Sequence, residues 1–397
     1  MTVTQPAIDD VLDEARHQTG LLDLGPDSYR EGLEVLCRAL ASEAQLNDVG
    51  QAALRSTIAS SLANRLRVVD WVARHPEVTA EPIEAPVVVV GMFRAGTTFL
   101  SELFDQDPGN RALLRWESAD SVPPPDRAHF RTGPRVDAAR AHADMLEALN
   151  PRMKAVHHED AAGPTECIAV MSQDFKSLSW EAIANVPSYS AWLLSADQRS
   201  AYEYHRCVLQ LLQSGGVRGR WTLKSPHHAL ALEPLTAVYP DARLVLLHRD
   251  PVVLCASVCS LIATLSGTFS DADHQAYIAE HWTGMLEEFV ARIDAFRVAH
   301  PEHPVLDVQY ADLVTDPVGT VEGIAATVGA PLTPPARDAI AAYARTHAKG
   351  RFGTHRYALG EFGLDADELS QRFAGYIERY GVAAETGHDE ASKGDHP

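Results

Sequence analysis

The sequence lacks the features that mark disulfide-rich, secreted and membrane-spanning proteins. Its 397 residues include only five cysteines, an odd number without a CxxC pair, so neither a disulfide framework nor a zinc site is indicated. The first twenty residues contain no apolar stretch of the kind found in a signal peptide. No segment approaches the ~18 apolar residues of a transmembrane helix. We therefore expect a cytoplasmic protein in a reducing compartment.

Positive charge is also scarce. The chain has 34 Lys and Arg residues against 54 Asp and Glu residues, which gives a net charge of −20. This excess of acid argues against a nucleic-acid binder or a protein of acidic membranes, because both partners attract a basic surface. It does not exclude an anionic ligand, since backbone amides and a few arginines can hold a phosphate inside an acidic protein.

Hydrophobic patterning divides the chain into three predicted parts. Residues 1–80 form a helical N-terminal segment, because leucines such as Leu33, Leu36 and Leu40 recur at helical spacing. Residues 81–382 form an α/β domain, in which residues 111–200 are a largely helical insertion that we expect to bind an acceptor molecule. Residues 383–397 are polar and charged, and we expect them to be disordered.

The α/β domain is predicted to contain a parallel sheet. The β-branched run Val87–Val90 and the apolar segment Ala242–His248 have no polar alternation, which is typical of strands covered on both faces. Shorter strand candidates are Trp221–Lys224 and Pro304–Val308. The expected fold class is therefore α/β, with a P-loop-like parallel sheet flanked by helices.

A glycine loop follows the first predicted strand. Gly91-Met-Phe-Arg94-Ala-Gly96-Thr97-Thr98 has the spacing of a loop whose backbone N–H groups cradle a phosphate at the start of a helix. A Walker A loop would carry lysine at the position of Thr97, so the nearest cation here is Arg94. The alternative is a tight strand-to-helix turn that needs glycine only for its backbone angles.

Arg249 marks a second candidate contact for an anion. It follows the strand Ala242–His248, at the carboxyl end where open α/β sheets bind ligands. A guanidinium can hold a phosphate with two parallel hydrogen bonds. The structural alternative is a salt bridge to Asp241 or Asp250.

Two segments resemble conserved blocks of the sulfotransferase family, in its bacterial branch. VVVVGMFRAGTTFLSELFDQDP is similar to the family's 5′-phosphosulfate loop, and residues 220–261 are similar to its 3′-phosphate block. The resemblance implies that 3′-phosphoadenosine-5′-phosphosulfate (PAPS) is the cosubstrate and that no metal is needed. The PAPS-binding residues that the two blocks imply are Arg94, Ala95, Gly96, Thr97, Thr98, Arg249 and Ser257. A basic, glycine-containing segment is similar to the part of the family that covers the nucleotide, and it adds Lys349, Gly350 and Arg351.

The same resemblance implies transfer of a sulfuryl group to a hydroxyl or amine of a small molecule. Such transfer requires positioning, charge neutralisation and a base for the acceptor proton. Arg94 and Lys224 are expected to stabilise the charge. For the base we rank His227 first, because it lies close to where the family places a catalytic histidine, and Glu166 second, with His228 also competing.

Other functions remain open on the sequence alone. A P-loop kinase or NTPase is one alternative, although Thr97 replaces the lysine that it would need. A catalytically degenerate protein that binds 3′-phosphoadenosine-5′-phosphate (PAP) and acts through interactions is another. The expected partner is a small-molecule acceptor, with a homodimer left open and with no nucleic acid or membrane span.

Overall fold

A five-stranded parallel sheet lies at the centre of the protein, as shown by a computed structural model that describes residues 8–152, 160–347 and 359–385. The strands are β1 (Val87–Gly91), β2 (Asn110–Ala112), β3 (Arg220–Lys224), β4 (Arg243–His248) and β5 (Val305–Gln309). Their order across the sheet is β2-β3-β1-β4-β5. Val88 of β1 pairs with Leu223 on one side and with Leu244 on the other.

Helices flank this sheet and confirm the predicted α/β class. In the first half of the chain they are α1 (Ile8–Thr19), α2 (Arg30–Ser42), α3 (Asp48–Arg74), α4 (Thr97–Phe104), α5 (Arg115–Ala119), α6 (Pro134–Leu149), α7 (Ile168–Met171), α8 (Ser179–Ile183) and α9 (Pro187–Ser195). The later ones are α10 (Arg199–Ser214), α11 (Leu232–Val238), α12 (Pro251–Ser266), α13 (Gln275–Ala299), α14 (Tyr310–Thr315), α15 (Pro317–Thr327), α16 (Pro334–Thr346), α17 (Ala366–Arg372) and α18 (Ala374–Tyr380).

The central strands form because their residues are apolar on both sides. All five residues of β1 are buried, as are five of the six residues of β4. A strand with both faces covered needs no polar alternation, which is why the valine run predicted β1 correctly. The short edge strand β2 was not predicted, since Asn-Arg-Ala has no apolar run to mark it.

The N-terminal helices pack against the α/β domain through one continuous apolar core. A buried ion pair reinforces this contact: Arg65 of α3 lies 3.0 Å from Asp174, and both side chains are at most 2% exposed. Arg65 also donates to the carbonyl oxygens of Leu24 and Pro26. These hydrogen bonds compensate the guanidinium for the water that it loses on burial. The ion pair therefore ties α3 to the insertion that contains Asp174.

The strand order places a ligand crevice at the carboxyl edge of the sheet. The central strand β1 pairs in parallel with β3 on one side and with β4 on the other, so the carboxyl ends of these three strands lie side by side at one edge of the sheet. Ligands of open α/β sheets bind at such a point. Within the three described ranges, no helix is long and apolar enough to cross a membrane.

Candidate functional site

The glycine loop forms the floor of the site. β1 ends at Gly91, Arg94 has a φ of 69° and Gly96 a φ of 97°, and α4 begins at Thr97. A Cβ on Gly96 would lie 2.7 Å from Cδ2 of Tyr310, so only glycine fits there. The first N–H groups of α4 have no partner within the helix and carry its positive end. The loop is thus arranged to receive an anion.

Lys224 reaches this loop from the next strand. It is the last residue of β3, its side chain is only 2% exposed, and its Nζ lies 3.0 Å from Glu166 Oε1 and 3.3 Å from Thr98 Oγ1. Glu166 is fixed beside it because the N–H of Cys167 donates to the Lys224 carbonyl oxygen at 2.9 Å. The Glu166 side chain keeps 15% exposure. An ammonium and a carboxylate therefore stand together at the start of α4.

Arg249 and Ser257 approach the loop from the other side. Arg249 follows β4, and its Nη1 donates to the carbonyl oxygen of Arg94 at 2.7 Å. Arg94 in turn donates from Nε to Ser257 Oγ at 3.2 Å. Ser257 lies on the second turn of α12 and is 3% exposed. The structure therefore brings together Arg94, Arg249 and Ser257, which lie up to 163 residues apart in the sequence.

Two further residues contact Arg249. The Tyr310 ring centroid lies 4.1 Å from the guanidinium carbon, a cation–π distance. The Glu385 carboxylate accepts hydrogen bonds from Nε at 2.6 Å and from Nη2 at 3.0 Å. The ion-pair partner is thus neither of the two aspartates considered from the sequence: Asp241 accepts from the N–H of Ala85, and Asp250 accepts from Val252 at the start of α12.

Neither contact residue was predicted to bind Arg249. Tyr310 stands directly after β5, at the same carboxyl edge as the glycine loop, and this position is a signal that could have identified it. Glu385 lies in the stretch predicted to be a disordered tail. Residues 383–385 of that stretch are described, with Glu385 held in place, and residues 386–397 lie outside the described residues.

The histidine ranked first as base does not face the site. His227 is 0% exposed, Leu178 N–H donates to its Nδ1 at 3.4 Å, and its Nε2 contacts Gln198 Oε1. Burial, helped by the charge of Arg292, lowers the pKa of His227 to about 3. The cause is local: Pro226–Leu230 forms a 3-10 helix capped by Ser225, and it directs the ring into the core.

His228 is a buried residue as well. It is 1% exposed, and its Nδ1 lies 2.9 Å from the Tyr202 hydroxyl. Burial lowers the pKa of His228 well below its ordinary value. Both rings are therefore neutral groups of the core, whereas the Glu166 carboxylate is partly exposed beside Lys224.

The aromatic residues of the predicted acceptor-binding insertion also lie in the core. At most 2% of their surface is exposed in four cases, Trp116, Phe175, Trp180 and Tyr189. Trp192 is partly buried and donates from Nε1 to Glu31. These rings pack within the two apolar clusters of the protein, so they do not identify an acceptor pocket.

Some predictions are not addressed by these contacts. Lys349, Gly350 and Arg351 lie outside the described residues. Among the residues that are described, no group of three or more His, Cys, Asp and Glu side chains is placed to hold a metal ion.

A parallel sheet whose central strand ends in a glycine loop, with arginines on neighbouring segments, is typical of the P-loop-like fold class. A finer assignment follows from the sulfotransferase family model, which matches residues 86–334. This match covers more than half of the chain. The chain belongs to the sulfotransferase family.

Solved structures and characterised relatives agree with this assignment. The structure is similar to sulfotransferase STF9 from Mycobacterium avium, with a TM-score of 0.88 and 32% identity over 96% of this chain and 98% of the other. It is also similar to STF1 from Mycobacterium tuberculosis H37Rv, with a TM-score of 0.83 and 33% identity over 93% and 98% of the two chains. A curated relative from Mycobacterium bovis, omega-hydroxy-beta-dihydromenaquinone-9 sulfotransferase Stf3, is 23% identical over 258 residues, and the match spans 61% of each protein.

Proposed function

We propose that the protein is a PAPS-dependent sulfotransferase that sulfates a hydroxyl, or an amine, of a small molecule. The observation that carries the proposal is the convergence of three cations and a serine on one glycine loop: Arg94, Lys224, Arg249 and Ser257. Family membership supports the reaction class. The proposals of PAPS as the donor and of a small-molecule acceptor are based on the geometry of the site and on the relatives.

The two ends of PAPS would be held by different parts of this site. The loop from Arg94 to Thr98 and the positive end of α4 suit the 5′-phosphosulfate, because a Cβ-free turn lets the backbone approach closely. Arg249 and Ser257 suit the 3′-phosphate. The ion pair between Arg249 and Glu385 supports this assignment, because in it the guanidinium binds an anion through two hydrogen bonds.

PAPS supplies an activated sulfuryl group, and the protein has to position the reactants and balance charge. Negative charge develops on the bridging oxygen of the phosphate that leaves. Arg94 lies inside the loop, and the Lys224 ammonium contacts Thr98 at 3.3 Å, so both can stabilise this charge without a metal ion. We therefore expect turnover that does not depend on Mg²⁺.

We assign Glu166 as the base that accepts the proton of the acceptor. Its carboxylate is partly exposed and lies 3.0 Å from the Lys224 ammonium. The group that accepts the proton therefore lies next to one of the two cations that stabilise the developing charge. His227 and His228 become structural residues in this proposal, because both are buried away from solvent. A carboxylate can accept the proton only if it lies within hydrogen-bonding distance of the acceptor molecule. Glu166 meets this requirement because its side chain is partly exposed and can be approached.

For the acceptor we propose a hydroxyl compound. Stf3 is named for omega-hydroxy-beta-dihydromenaquinone-9, a compound that carries a hydroxyl group. We place the enzyme in the cytoplasm, where the five cysteines, which are all free in the structure, would stay reduced. A homodimer remains an expectation that these contacts do not address.

Mass spectrometry tests the proposed reaction. The purified protein is incubated with PAPS and a library of hydroxyl compounds, with EDTA present and absent. We expect products heavier by about 80 Da, the mass of an added SO₃, together with PAP, in both conditions. ATP turnover that requires Mg²⁺, with no product from PAPS, would instead support the kinase alternative.

A further inference from the structure

The contact between Glu385 and Arg249 connects the C-terminal segment to the anion site. Helix α18 ends at Tyr380, and Gly381 turns the chain with a φ of 61°. Val382 is 7% exposed and belongs to the apolar core, and its N–H donates to the Ile377 carbonyl oxygen at 3.0 Å. Val382 is therefore an anchor, and three residues further on the Glu385 side chain reaches Arg249.

The Glu385 carboxylate occupies the edge of the guanidinium that would hold a phosphate. Both of its oxygens accept hydrogen bonds, at 2.6 Å from Nε and at 3.0 Å from Nη2. A carboxylate and a phosphate bind an arginine through the same fork of two parallel N–H donors. Nη1 donates one of its N–H groups to the Arg94 carbonyl oxygen. A ligand phosphate that binds the fork of Nε and Nη2 competes with Glu385 for the same two donors.

The backbone strengthens this placement of Glu385. Its N–H donates to Oδ2 of Asp250 at 2.8 Å, while Oδ1 of the same carboxylate accepts from Val252 at the start of α12. The segment of residues 382–385 is thus attached at its base, Val382, by the core and at its tip, Glu385, by Asp250 and Arg249. The Glu385 side chain keeps 27% exposure, so the tip borders on solvent and can leave without unpacking the core.

We propose that Glu385 is an internal competitor of the 3′-phosphate, so that the C-terminal segment acts as an autoinhibitory latch on the donor site. The inference rests on the proposed function, in which Arg249 binds the 3′-phosphate of PAPS. Donor binding breaks the Glu385–Arg249 ion pair and releases the tip of the segment, while Val382 keeps its base in place. The latch lowers the affinity for nucleotides that carry a 3′-phosphate and leaves the affinity for those without one unchanged.

Calorimetry of PAP binding tests the latch. Glu385→Gln keeps the size and hydrogen-bonding oxygen of the side chain but removes its charge, so we expect PAP to bind roughly three- to tenfold more tightly than to the unmodified protein. The affinity for 5′-AMP, which has no 3′-phosphate, should not change. The matched control is Glu378→Gln, an equal loss of charge at an exposed position of α18, and it should leave both affinities unchanged.

The outcomes separate the latch from the function on which it rests. If PAP binds the unmodified protein well but binds Glu385→Gln equally or more weakly, Glu385 does not compete and the latch is refuted. If the unmodified protein does not distinguish PAP from 5′-AMP, the proposed donor site itself fails. Hydrogen exchange gives an independent measurement: PAP should speed exchange of the Glu385 amide in the unmodified protein, and slower exchange would contradict displacement.

Discussion

Replacing Glu166 by Gln should reduce turnover strongly while leaving the fold and the donor site intact. The amide keeps an oxygen for the Lys224 ammonium, which lies 3.0 Å from Oε1, but it cannot accept the acceptor's proton. A positioned base contributes about 10²- to 10⁴-fold to the rate. We therefore expect kcat to fall by this factor, which corresponds to about 3–5 kcal/mol of activation free energy.

His227→Ala is the informative counterpart of this variant. His227 is fully buried, and its removal leaves Gln198 and the Leu178 N–H without their ring partner in the core. We expect the free energy of unfolding to fall by roughly 2–5 kcal/mol, from the cavity and the unsatisfied groups together. The kcat of the folded fraction should stay within a few-fold of the unmodified protein.

The assay measures sulfated product under saturating PAPS, beside PAP affinity and the denaturation midpoint of each variant. The assignment of Glu166 as the base predicts opposite signatures: a loss of kcat at unchanged stability for Glu166→Gln, and a loss of stability at similar kcat for His227→Ala. It would be refuted if Glu166→Gln kept kcat within about threefold, or if His227→Ala were stable but inactive with PAP affinity intact.

Three further predictions concern the anion site, the core and acid stability. Arg249→Ala should weaken PAP binding by about tenfold or more and spare 5′-AMP, because charge-assisted hydrogen bonds to one phosphate are lost; equal losses for both ligands would contradict the assignment. Arg65→Ala leaves Asp174 buried without its guanidinium, so the free energy of unfolding should fall by about 3–5 kcal/mol in urea titrations, whereas a loss below about 1 kcal/mol would show that the pair is dispensable. Burial lowers the pKa of both His205 and His227 to about 3, so the unfolded chain takes up protons below about pH 6.5 that the fold does not. The free energy of unfolding should therefore be constant above about pH 7 and should fall between about pH 6.5 and pH 3. Each of the two rings contributes a slope of up to ~1.4 kcal/mol per pH unit. Equal free energies of unfolding at about pH 7.5 and about pH 5.5 would contradict this prediction.

Much of the fold could be predicted because its central strands are unusually simple in sequence. The valine run of β1 and the apolar stretch of β4 have no polar interruption. Each is followed by a helix: α4 buries Leu100, Leu103 and Phe104, and α12 is apolar almost throughout. The edge strand β2 escaped prediction because its three residues form a strand only by pairing with β3. Such a strand is defined by its neighbour rather than by its own side chains.

The candidate site was predictable only where local sequence determines position. Arg94 and Arg249 were found because each stands just after a buried strand, and the carboxyl ends of parallel strands meet at one edge. The placement of Glu166 and His227 was not predictable. It depends on the direction of the 3-10 turn at Pro226–Leu230 and on a hydrogen bond between Cys167 and Lys224, which are 57 positions apart in the sequence.

Glu385 shows the same limit more clearly. Nothing in its own stretch of polar residues indicates an anion site, and the contact arises because Gly381 and Val382 direct the chain across the sheet edge. A residue 136 positions from Arg249 becomes its partner through tertiary packing alone. Composition could therefore suggest a solvated tail, but it could not place this carboxylate.

The most direct test of the account compares the binding of PAP and 5′-AMP to the unmodified protein by calorimetry without Mg²⁺. The arrangement of Arg249, Arg94 and Ser257 beside the glycine loop predicts that PAP binds at least about tenfold more tightly, because only PAP carries the 3′-phosphate. Equal affinities for the two nucleotides would contradict the account.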